Sequence, residues 1–278
     1  MMDLSVRDLC KKYKNFELNN VSFDLEHGTI TGFIGRNGAG KTTTLKSLLN
    51  LIHPNGGEIL FFGKSFKENE FEIKQKIGFV AGGIDYYPKK KIKTITDTTR
   101  RFYTNWDDKA YKHYMDRFKL DENKTPDELS AGMKVKYSLV LALSHNAELL
   151  ILDEPTSGLD PVSRDDLLDV FLGLSEEGIT ILFSTHITSD LDKCADNIIY
   201  IKNGKILAST DINTFLSQYH VLELTDDQLT DELKRKLIGC KKSKHGYSAL
   251  INVADSENIN MKMSDADLES IMVHLEKE

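Results

Sequence analysis

The spacing of apolar residues divides the chain into short strands and amphipathic helices. Apolar and polar residues alternate over Val21 to Leu25, and a run with β-branched residues over Thr29 to Gly35 leads directly into a glycine-rich loop. Both segments are typical of strands. An apolar stripe of helical spacing occupies residues 45 to 52 and stops before Pro54, which predicts a helix directly after the glycine-rich loop.

The middle of the chain combines buried strands with a helical segment. Continuous apolar runs at Leu149 to Leu152 and at Ile179 to Ser184 are typical of parallel strands that are covered on both faces. Two earlier strands are predicted at residues 58 to 62 and 76 to 80. From about residue 84 to 146 the pattern is helical, with aromatic residues interleaved with charges. We therefore expect an α/β fold with an inserted helical subdomain at about 84-146.

The last third of the chain predicts a hairpin followed by a small α/β appendage. An Asn-Gly pair at 203–204 separates two apolar runs and suits a tight primed turn. Ser264 and Asp267 have the spacing of a capping box at the start of the final helix. We expect a main domain over residues 1-213 and a C-terminal accessory domain over 214-278. The accessory domain is predicted to contain strands at Val221 to Leu224 and Tyr247 to Val253, and helices at Asp226 to Leu237 and Ser264 to Glu276.

Composition narrows the class of protein without indicating an activity. The 278 residues are 40% apolar and 28% charged, as in an ordinary globular protein. The net charge of −7 does not call for nucleic acid, whose binders usually carry a basic face. Three widely spaced cysteines fit a reducing cytosol better than a disulfide framework. The longest apolar stretch, residues 139 to 152, is interrupted by polar residues, so we expect any membrane role to come through a partner.

The glycine-rich loop carries the first chemical signal. It reads GRNGAGKTT and satisfies the phosphate-loop pattern G-x-x-x-x-G-K-[ST] between a predicted strand and a predicted helix. Glycines let successive backbone N–H groups surround a phosphate at a helix N-terminus, which favours anions. Lys41 is expected to reach the β- and γ-phosphates of a nucleotide and Thr42 to ligate Mg²⁺. The predicted nucleotide-binding residues of the loop are Gly35, Arg36, Asn37, Gly38, Ala39, Gly40, Lys41, Thr42 and Thr43.

Two adjacent carboxylates follow a buried strand in the segment ELLILDEP. Asp153 is expected at the carboxyl end of this strand, where a carboxylate can hold Mg²⁺. Glu154 is then placed to orient and deprotonate an attacking water. A phosphate loop alone is compatible with a kinase, a GTPase or a motor. For Asp153 and Glu154, the alternative to a functional role is that they are two surface acids at a strand end. The remaining motifs decide between these classes.

The order of those motifs resembles the ATP-binding cassette (ABC) family. LSAGM at residues 129–133 precedes the Asp-Glu strand, and SGLD at 157–160 and STH at 184–186 follow it. The resemblance covers about residues 1 to 213, with the motifs in family order. It implies a P-loop NTPase core of the ABC ATPase type, with ATP and Mg²⁺ as ligands and ATP hydrolysis as the activity.

The resemblance also assigns roles to single residues. In the family, a signature segment, which reads LSAGM in this chain, binds the γ-phosphate of ATP held by an opposite cassette. Ser130 and Gly132 would therefore contact the partner's nucleotide. Asp160 would lie in the loop that couples the two sites, and His186 would hydrogen-bond the γ-phosphate in a catalytic role beside Glu154. Tyr13 matches the aromatic residue on which adenine stacks. Without the family, a structural role for His186 and packing of Tyr13 against the sheet are the alternatives.

The wider segments are similar to the exporter ATPases of bacteria, especially the YtrB-like group that serves antibiotic and antimicrobial-peptide efflux. The segments that carry this similarity are GFIGRNGAGKTT, LALSHNAELLILDEPTSGLDP and FSTHITSDL. It implies a second ABC ATPase subunit, identical or different, and a transmembrane permease as partners. The chain would then be cytoplasmic and peripheral on the inner face of the cell membrane, held there by the permease.

The sequence departs from the family pattern at several positions. Gly82 stands where the family has a Gln or Glu that touches Mg²⁺ and senses the membrane partner, and Asp85 is the nearest polar replacement. Ala131 and Met133 replace the usual Gly and Gln of the signature. The stretch from Tyr86 to Pro88 is either a docking surface for a membrane subunit or part of a small subdomain core. The basic run KKKIK that follows either meets anionic lipid or is a solvated face.

Two other functions are compatible with the ABC resemblance. A soluble ABC protein acting on ribosomes or DNA normally carries two cassettes in one chain, or a long coiled-coil or zinc insert, and this sequence shows none of these. A regulatory cassette with weak hydrolysis, not coupled to transport, is motivated by Gly82. Such a cassette would more naturally have lost Glu154 or His186, and both remain.

Overall fold

A computed structural model describes residues 1–81, 87–244, 246–256, 259 and 261–277. The chain forms two compact units, Met1–Leu207 and Ala208–Glu278. The sequence predicted the domain boundary after residue 213.

The helices and strands are numbered along the chain. Among the described residues, no helix is both long enough and apolar enough to cross a membrane. The strands are β1 Met2–Lys12, β2 Glu17–Glu26, β3 Ile30–Ile34, β4 Gly56–Phe61, β5 Lys64–Ser65, β6 Ile77–Ala81, β7 Leu149–Asp153, β8 Thr180–Thr185, β9 Asn197–Lys202, β10 Lys205–Asp211, β11 Tyr219–Leu224, β12 Leu237–Ser243, β13 Gly246–Asn252 and β14 Met263–Asp265. The helices are α1 Lys41–Leu48, α2 Phe66–Lys74, α3 Ile92–Thr99, α4 Asp108–Arg117, α5 Ala131–Ser144, α6 Pro161–Glu176, α7 Thr188–Cys194, α8 Ile212–Leu216, α9 Asp231–Lys234, α10 Val253–Ser256 and α11 Leu268–Leu275.

A six-stranded sheet with the order β10-β9-β3-β8-β7-β6 forms the centre of the first unit. Strand β3 pairs in parallel with β8 and β9, and β7 pairs in parallel with β6 and β8. Every residue of β3, β7 and β8 is buried, and for β7 and β8 the continuous apolar runs predicted this burial. The predicted hairpin turn is confirmed, because Asn203 and Gly204 both have positive φ, at 49° and 75°.

A second, antiparallel sheet with the order β2-β1-β4-β5 packs onto this core. Strand β1 was not predicted from the sequence. Leu4, Val6 and Leu9 are all fully buried, but the pairing of β1 with β2 shifts register between Val6 and Leu9. Asp8 lies in this irregularity with a φ of 48°. A β-bulge therefore breaks the alternation that would have revealed the strand.

Three helices, α3, α4 and α5, fall within the interval predicted to be helical. The junction between α5 and the sheet is held by His145, whose ring stacks on Tyr103 at a centroid distance of 3.7 Å. His145 Nδ1 also lies 3.0 Å from the Gln75 carbonyl oxygen, to which it donates. Burial is the main cause that lowers the pKa of His145 to about 4, so the ring is neutral at physiological pH.

The second unit contains a four-stranded antiparallel sheet with the order β12-β13-β11-β14. The long helix predicted over 226 to 237 is wrong, because helix α9 covers only Asp231–Lys234 and the chain then enters β12. The predicted start of the last helix is also wrong. Asp267, not Ser264, caps α11 by accepting a hydrogen bond from the Ser270 amide at 2.7 Å. Ser264 instead pairs with Val221 in the sheet, which overrides its local capping pattern.

Candidate functional site

Three neighbouring parallel strands end at the same edge of the central sheet. In the pairing register, Ile34 at the end of β3 lies opposite Thr185 at the end of β8, and Asp153 at the end of β7 lies opposite Ser184. The segments that follow these strands therefore start side by side. This places the glycine-rich loop, the two carboxylates and the Ser-Thr-His turn at the carboxyl ends of parallel strands, where open α/β sheets bind ligands.

The glycine-rich loop joins β3 to α1 at this edge. A Cβ on Gly35 would lie 2.3 Å from the Ile201 carbonyl oxygen, so any larger residue would displace backbone. Gly38 and Gly40 have φ values of 85° and 118°, which glycine adopts most readily. Gly40 caps the N-terminus of α1. The other predicted loop residues divide into exposed Arg36, Asn37 and Thr42, partly buried Thr43, and buried Ala39.

Two side chains from α1 meet the acidic end of β7. Thr42 Oγ1 donates to Asp153 Oδ1 at 3.1 Å, and Ser184 Oγ donates to the same oxygen at 2.7 Å. Lys41 is 5% exposed, and its ammonium group donates to the Gly35 carbonyl oxygen at 2.7 Å. The same nitrogen lies 3.1 Å from Glu154 Oε1. The structure thus brings together the predicted phosphate cation and the predicted metal-binding and catalytic acids.

Glu154 and His186 form a close pair. His186 Nδ1 lies 2.7 Å from Glu154 Oε2, so the Glu154 carboxylate contacts Lys41 through one oxygen and His186 through the other. Glu154 has a φ of 52° although it is not a glycine, and such a conformation costs on the order of 1–3 kcal/mol. Its backbone amide donates to Ser184 Oγ at 2.9 Å. Strained backbone of this kind concentrates at functional positions.

Ser184 is a member of this site that the sequence did not single out. It is fully buried and links Asp153 to the Glu154 amide with one hydroxyl. Its place in the Ser-Thr-His motif is the sequence feature that could have indicated Ser184. Its hydrogen bonds to Asp153 and to the Glu154 amide, however, depend on the pairing of β7 with β8.

Tyr13 lies in a turn beside the glycine-rich loop. Its amide donates to the Phe16 carbonyl at 2.8 Å, and a Cβ on Gly40 would lie 2.9 Å from the Phe16 ring. The Tyr13 side chain is 42% exposed and does not enter the core. Its ring is therefore accessible to a planar group.

The signature residues Ser130 and Gly132 lie at the start of α5, and Asp160, predicted in the coupling loop, lies at the start of α6. Ser130 caps α5 by accepting from the Met133 amide at 3.3 Å, and Asp160 caps α6 by accepting from the Val162 and Ser163 amides. Hydrogen bonds from Ser163 are the main cause that lowers the pKa of Asp160. Gly132 is buried against the start of α6. Gly82, Asp85 and Tyr86 lie outside the described residues.

Comparison with known proteins gives the family. The profile of the family described as ABC transporter matches residues 18–157. The chain belongs to the ABC transporter family. It is an ABC transporter ATP-binding subunit and therefore an ATPase.

The relatives of this ABC ATPase include named transport proteins. It is 32% identical over 226 residues to the ABC transporter ATP-binding protein YtrB of Bacillus subtilis, covering 81% of this chain and 77% of YtrB. It is 34% identical over 208 residues to the bacitracin transport ATP-binding protein BcrA of Bacillus licheniformis, covering 73% of this chain and 68% of BcrA. A solved structure of an ATP-binding subunit of an ABC transporter is 26% identical, with a TM-score of 0.69 over 77% of this chain and 92% of that chain. The predicted α/β P-loop fold of the ABC type is confirmed.

Proposed function

We propose that this ABC ATPase hydrolyses Mg-ATP at the sheet edge and uses the energy to drive a separate membrane permease that exports antibiotics, peptides or toxins. The observation that carries the hydrolytic part is the position of the Glu154 carboxylate. It contacts the Lys41 ammonium at 3.1 Å and the His186 ring at 2.7 Å. A base, a phosphate-binding cation and a γ-phosphate ligand therefore converge on one point.

The residues around Glu154 fit a bound Mg-ATP. Lys41 and the backbone amides of residues 35–43 would bind the phosphates, and Tyr13 would stack on the adenine because every base offers a π face. The Thr42 hydroxyl and the Asp153 carboxylate, which is only 7% exposed, supply the oxygen ligands that Mg²⁺ prefers. Mg²⁺ bound there would neutralise phosphate charge.

The chain's own groups then perform the transfer. Glu154 accepts a proton from the attacking water as the water oxygen forms a bond to the γ-phosphorus. The bond between that phosphorus and the bridging oxygen of ADP breaks, and its electrons remain on ADP. Lys41 and His186 hydrogen-bond the γ-phosphate oxygens as negative charge redistributes over them. The Glu154 contact with His186 holds both groups on the same side of the nucleotide.

A second ATPase subunit would complete each site. Ser130 and Asp160 are exposed at helix N-termini, where hydroxyls, amides and the helix dipole suit a phosphate or a partner loop. Together with Gly132 they are proposed to meet the nucleotide and the loop of the opposite subunit. The partner is a second copy of this chain or a different cassette.

The permease and the direction of transport are inferred from the relatives. BcrA is named for bacitracin transport, and 68% of its length aligns with this chain. We infer a cytoplasmic location at the inner face of the membrane, through contact with the permease. The test is drug resistance in the organism that carries the gene. A strain lacking the gene should become sensitive to at least one peptide or antibiotic in a panel, and wild-type protein should restore resistance.

The matched control is the Glu154→Gln protein expressed at the same level, which should not restore resistance. Unchanged sensitivity of the deletion strain across bacitracin, lantibiotics and other cationic peptides would contradict the export part of the proposal. Restoration by Glu154→Gln would contradict the link between hydrolysis and export.

A further inference from the structure

A buried carboxylate lies directly behind the proposed hydrolytic site. Asp190, in the first turn of α7, is fully buried. Its Oδ2 accepts a hydrogen bond from Thr156 Oγ1 at 2.6 Å and a longer one from Thr185 Oγ1 at 3.3 Å. Removal from water is the main cause that raises the pKa of Asp190 above its ordinary value.

The two threonines belong to the segments that carry the proposed catalytic pair. Thr156 follows Glu154 by two residues, and Thr185 directly precedes His186. Thr185 Oγ1 also accepts a hydrogen bond from the Ile187 amide at 3.0 Å, which fixes the backbone on the other side of His186. One carboxylate oxygen therefore joins the loop of the proposed base to the turn of the proposed γ-phosphate ligand.

The second oxygen of Asp190 faces a third segment. Asp190 Oδ1 lies 3.8 Å from Nε of Arg164, a residue of α6, and this distance is longer than a hydrogen bond. The N-cap of α6 is Asp160. Asp190 thus lies between three segments that each carry a residue assigned to the ATP cycle. Within the described part of the chain, no hydrogen bond joins Asp190 directly to Glu154 or His186.

We propose that Asp190 is a positioning residue for ATP hydrolysis. Through its hydrogen bonds with Thr156 and Thr185, it fixes the positions of Glu154 and His186 relative to each other. The inference rests on the proposed function, because it acts through the residues assigned there. A purely structural role, anchoring α7 to the sheet, predicts lower stability without a specific loss of turnover. A positioning role predicts a loss in kcat with little change in KM, because the phosphate-binding loop is untouched.

The test compares Asp190→Asn, Thr156→Val and Thr156→Ser in the full-length chain. We expect Asp190→Asn and Thr156→Val to lower kcat by about tenfold while KM for ATP stays within about twofold, since small misplacements of catalytic groups cost rate. Thr156→Ser keeps the donor hydroxyl and should restore most of the rate. Thr156→Val serves as the independent variant where Asp190→Asn folds poorly, because valine matches threonine in shape.

Asp3→Asn provides a matched control. Asp3 is 2% exposed and accepts a hydrogen bond from Thr180 Oγ1 at 2.5 Å, at the opposite end of β8 from Thr185. Asp3→Asn neutralises a buried carboxylate that accepts a hydrogen bond from a threonine hydroxyl, as Asp190→Asn does, but far from the site. It should lower the unfolding temperature as Asp190→Asn does and leave kcat unchanged.

A mutant cycle separates positioning from general damage. In a His186→Ala background, Asp190→Asn should reduce the single-turnover rate by a smaller factor than it does in the wild-type background, because part of what it positions is gone. Wild-type kcat in both Asp190→Asn and Thr156→Val, equal kcat loss in Asp3→Asn, or full additivity in the cycle would overturn the positioning role. Wild-type turnover in Glu154→Gln would instead refute the proposed base, which is a separate result.

Discussion

The contacts of Lys41 fit its proposed role as the side-chain cation that binds the phosphates of ATP. It is buried at the start of α1, between the Gly35 carbonyl oxygen and the Glu154 carboxylate. Replacing it with alanine leaves the backbone amides of the loop but removes the side-chain cation that they are arranged around. We expect Lys41→Ala to reduce ATP affinity by at least about a hundredfold, or about 2.7 kcal/mol. Equilibrium binding of a fluorescent ATP analogue measures this, with Lys46→Ala later in α1 as the control.

Alanine substitutions at two glycines of the loop are expected to lower the free energy of unfolding by different amounts. Alanine at Gly35 places its Cβ 2.3 Å from the Ile201 carbonyl oxygen, and the neighbour is backbone that has little room to move. Alanine at Gly38 meets no atom within 4 Å but must adopt a φ of 85°. We expect a loss of about 3 kcal/mol in unfolding free energy at Gly35 and about 1 kcal/mol at Gly38. Chemical denaturation of both variants checks the order, and equal losses would contradict it.

The sequence indicated several residues that the structure brings together at the candidate site, but it did not indicate their contacts. The phosphate loop, Asp153, Glu154 and His186 each stand in a motif next to a predicted parallel strand, and the ends of such strands share one edge. Ser184 and Asp190 were not singled out, because their roles arise from hydrogen bonds between segments distant in the chain. Thr156 and Asp190 are 34 residues apart, and no local pattern encodes that pairing.

The strands and helices that the sequence predicted correctly are those with an uninterrupted pattern of apolar residues. Strands β7 and β8 of the central sheet are buried on both faces and produce uninterrupted apolar runs, so they were predicted. The bulge in β1 breaks its alternation, and that strand was missed. In the second unit, Leu233 is buried in a helix of only four residues. The helix predicted around it, over residues 226 to 237, was therefore too long. Tertiary pairing of β12 with β13 overrides the local preference there.

The junction around α5 predicts a pH dependence of stability. The pKa of His145 is about 4 in the folded chain and about 6.5 when unfolded. Between these values the unfolded state binds the proton and the folded state does not, so stability falls as pH drops. The contribution is complete above about pH 6.5 and is lost by about pH 4, with an upper limit of about 3 kcal/mol.

The variant that tests this dependence is His145→Gln. The free energies of unfolding of wild type and variant should converge as pH falls from 7 to 4. The His53→Gln protein is the control, because His53 is exposed and should leave the pH profile of stability unchanged. A wild-type profile parallel to that of His145→Gln would exclude His145 as the cause.

The residues proposed to meet a partner's nucleotide and loop begin other helices than the one that carries Lys41, which predicts that two chains associate. Ser130 and Asp160 sit at the starts of α5 and α6, whereas Lys41 and Glu154 meet at the sheet edge. We expect the chain to be largely monomeric without nucleotide and to dimerise with Mg-ATP when Glu154→Gln prevents turnover. Sedimentation velocity measures the mass, with Lys41→Ala as the control that should stay monomeric. A monomer under both conditions would mean that the permease or a different cassette must bring the sites together.

The central claim is that Glu154 is the base of an ATPase site assembled at the ends of β3, β7 and β8. The most direct measurement is phosphate release at saturating Mg-ATP by the wild-type and Glu154→Gln chains, with ATP binding measured on the same samples. We predict that Glu154→Gln binds ATP within about threefold of wild type and releases phosphate at least about a hundredfold more slowly, as expected for loss of a general base. Equal phosphate release by the two chains would contradict the account.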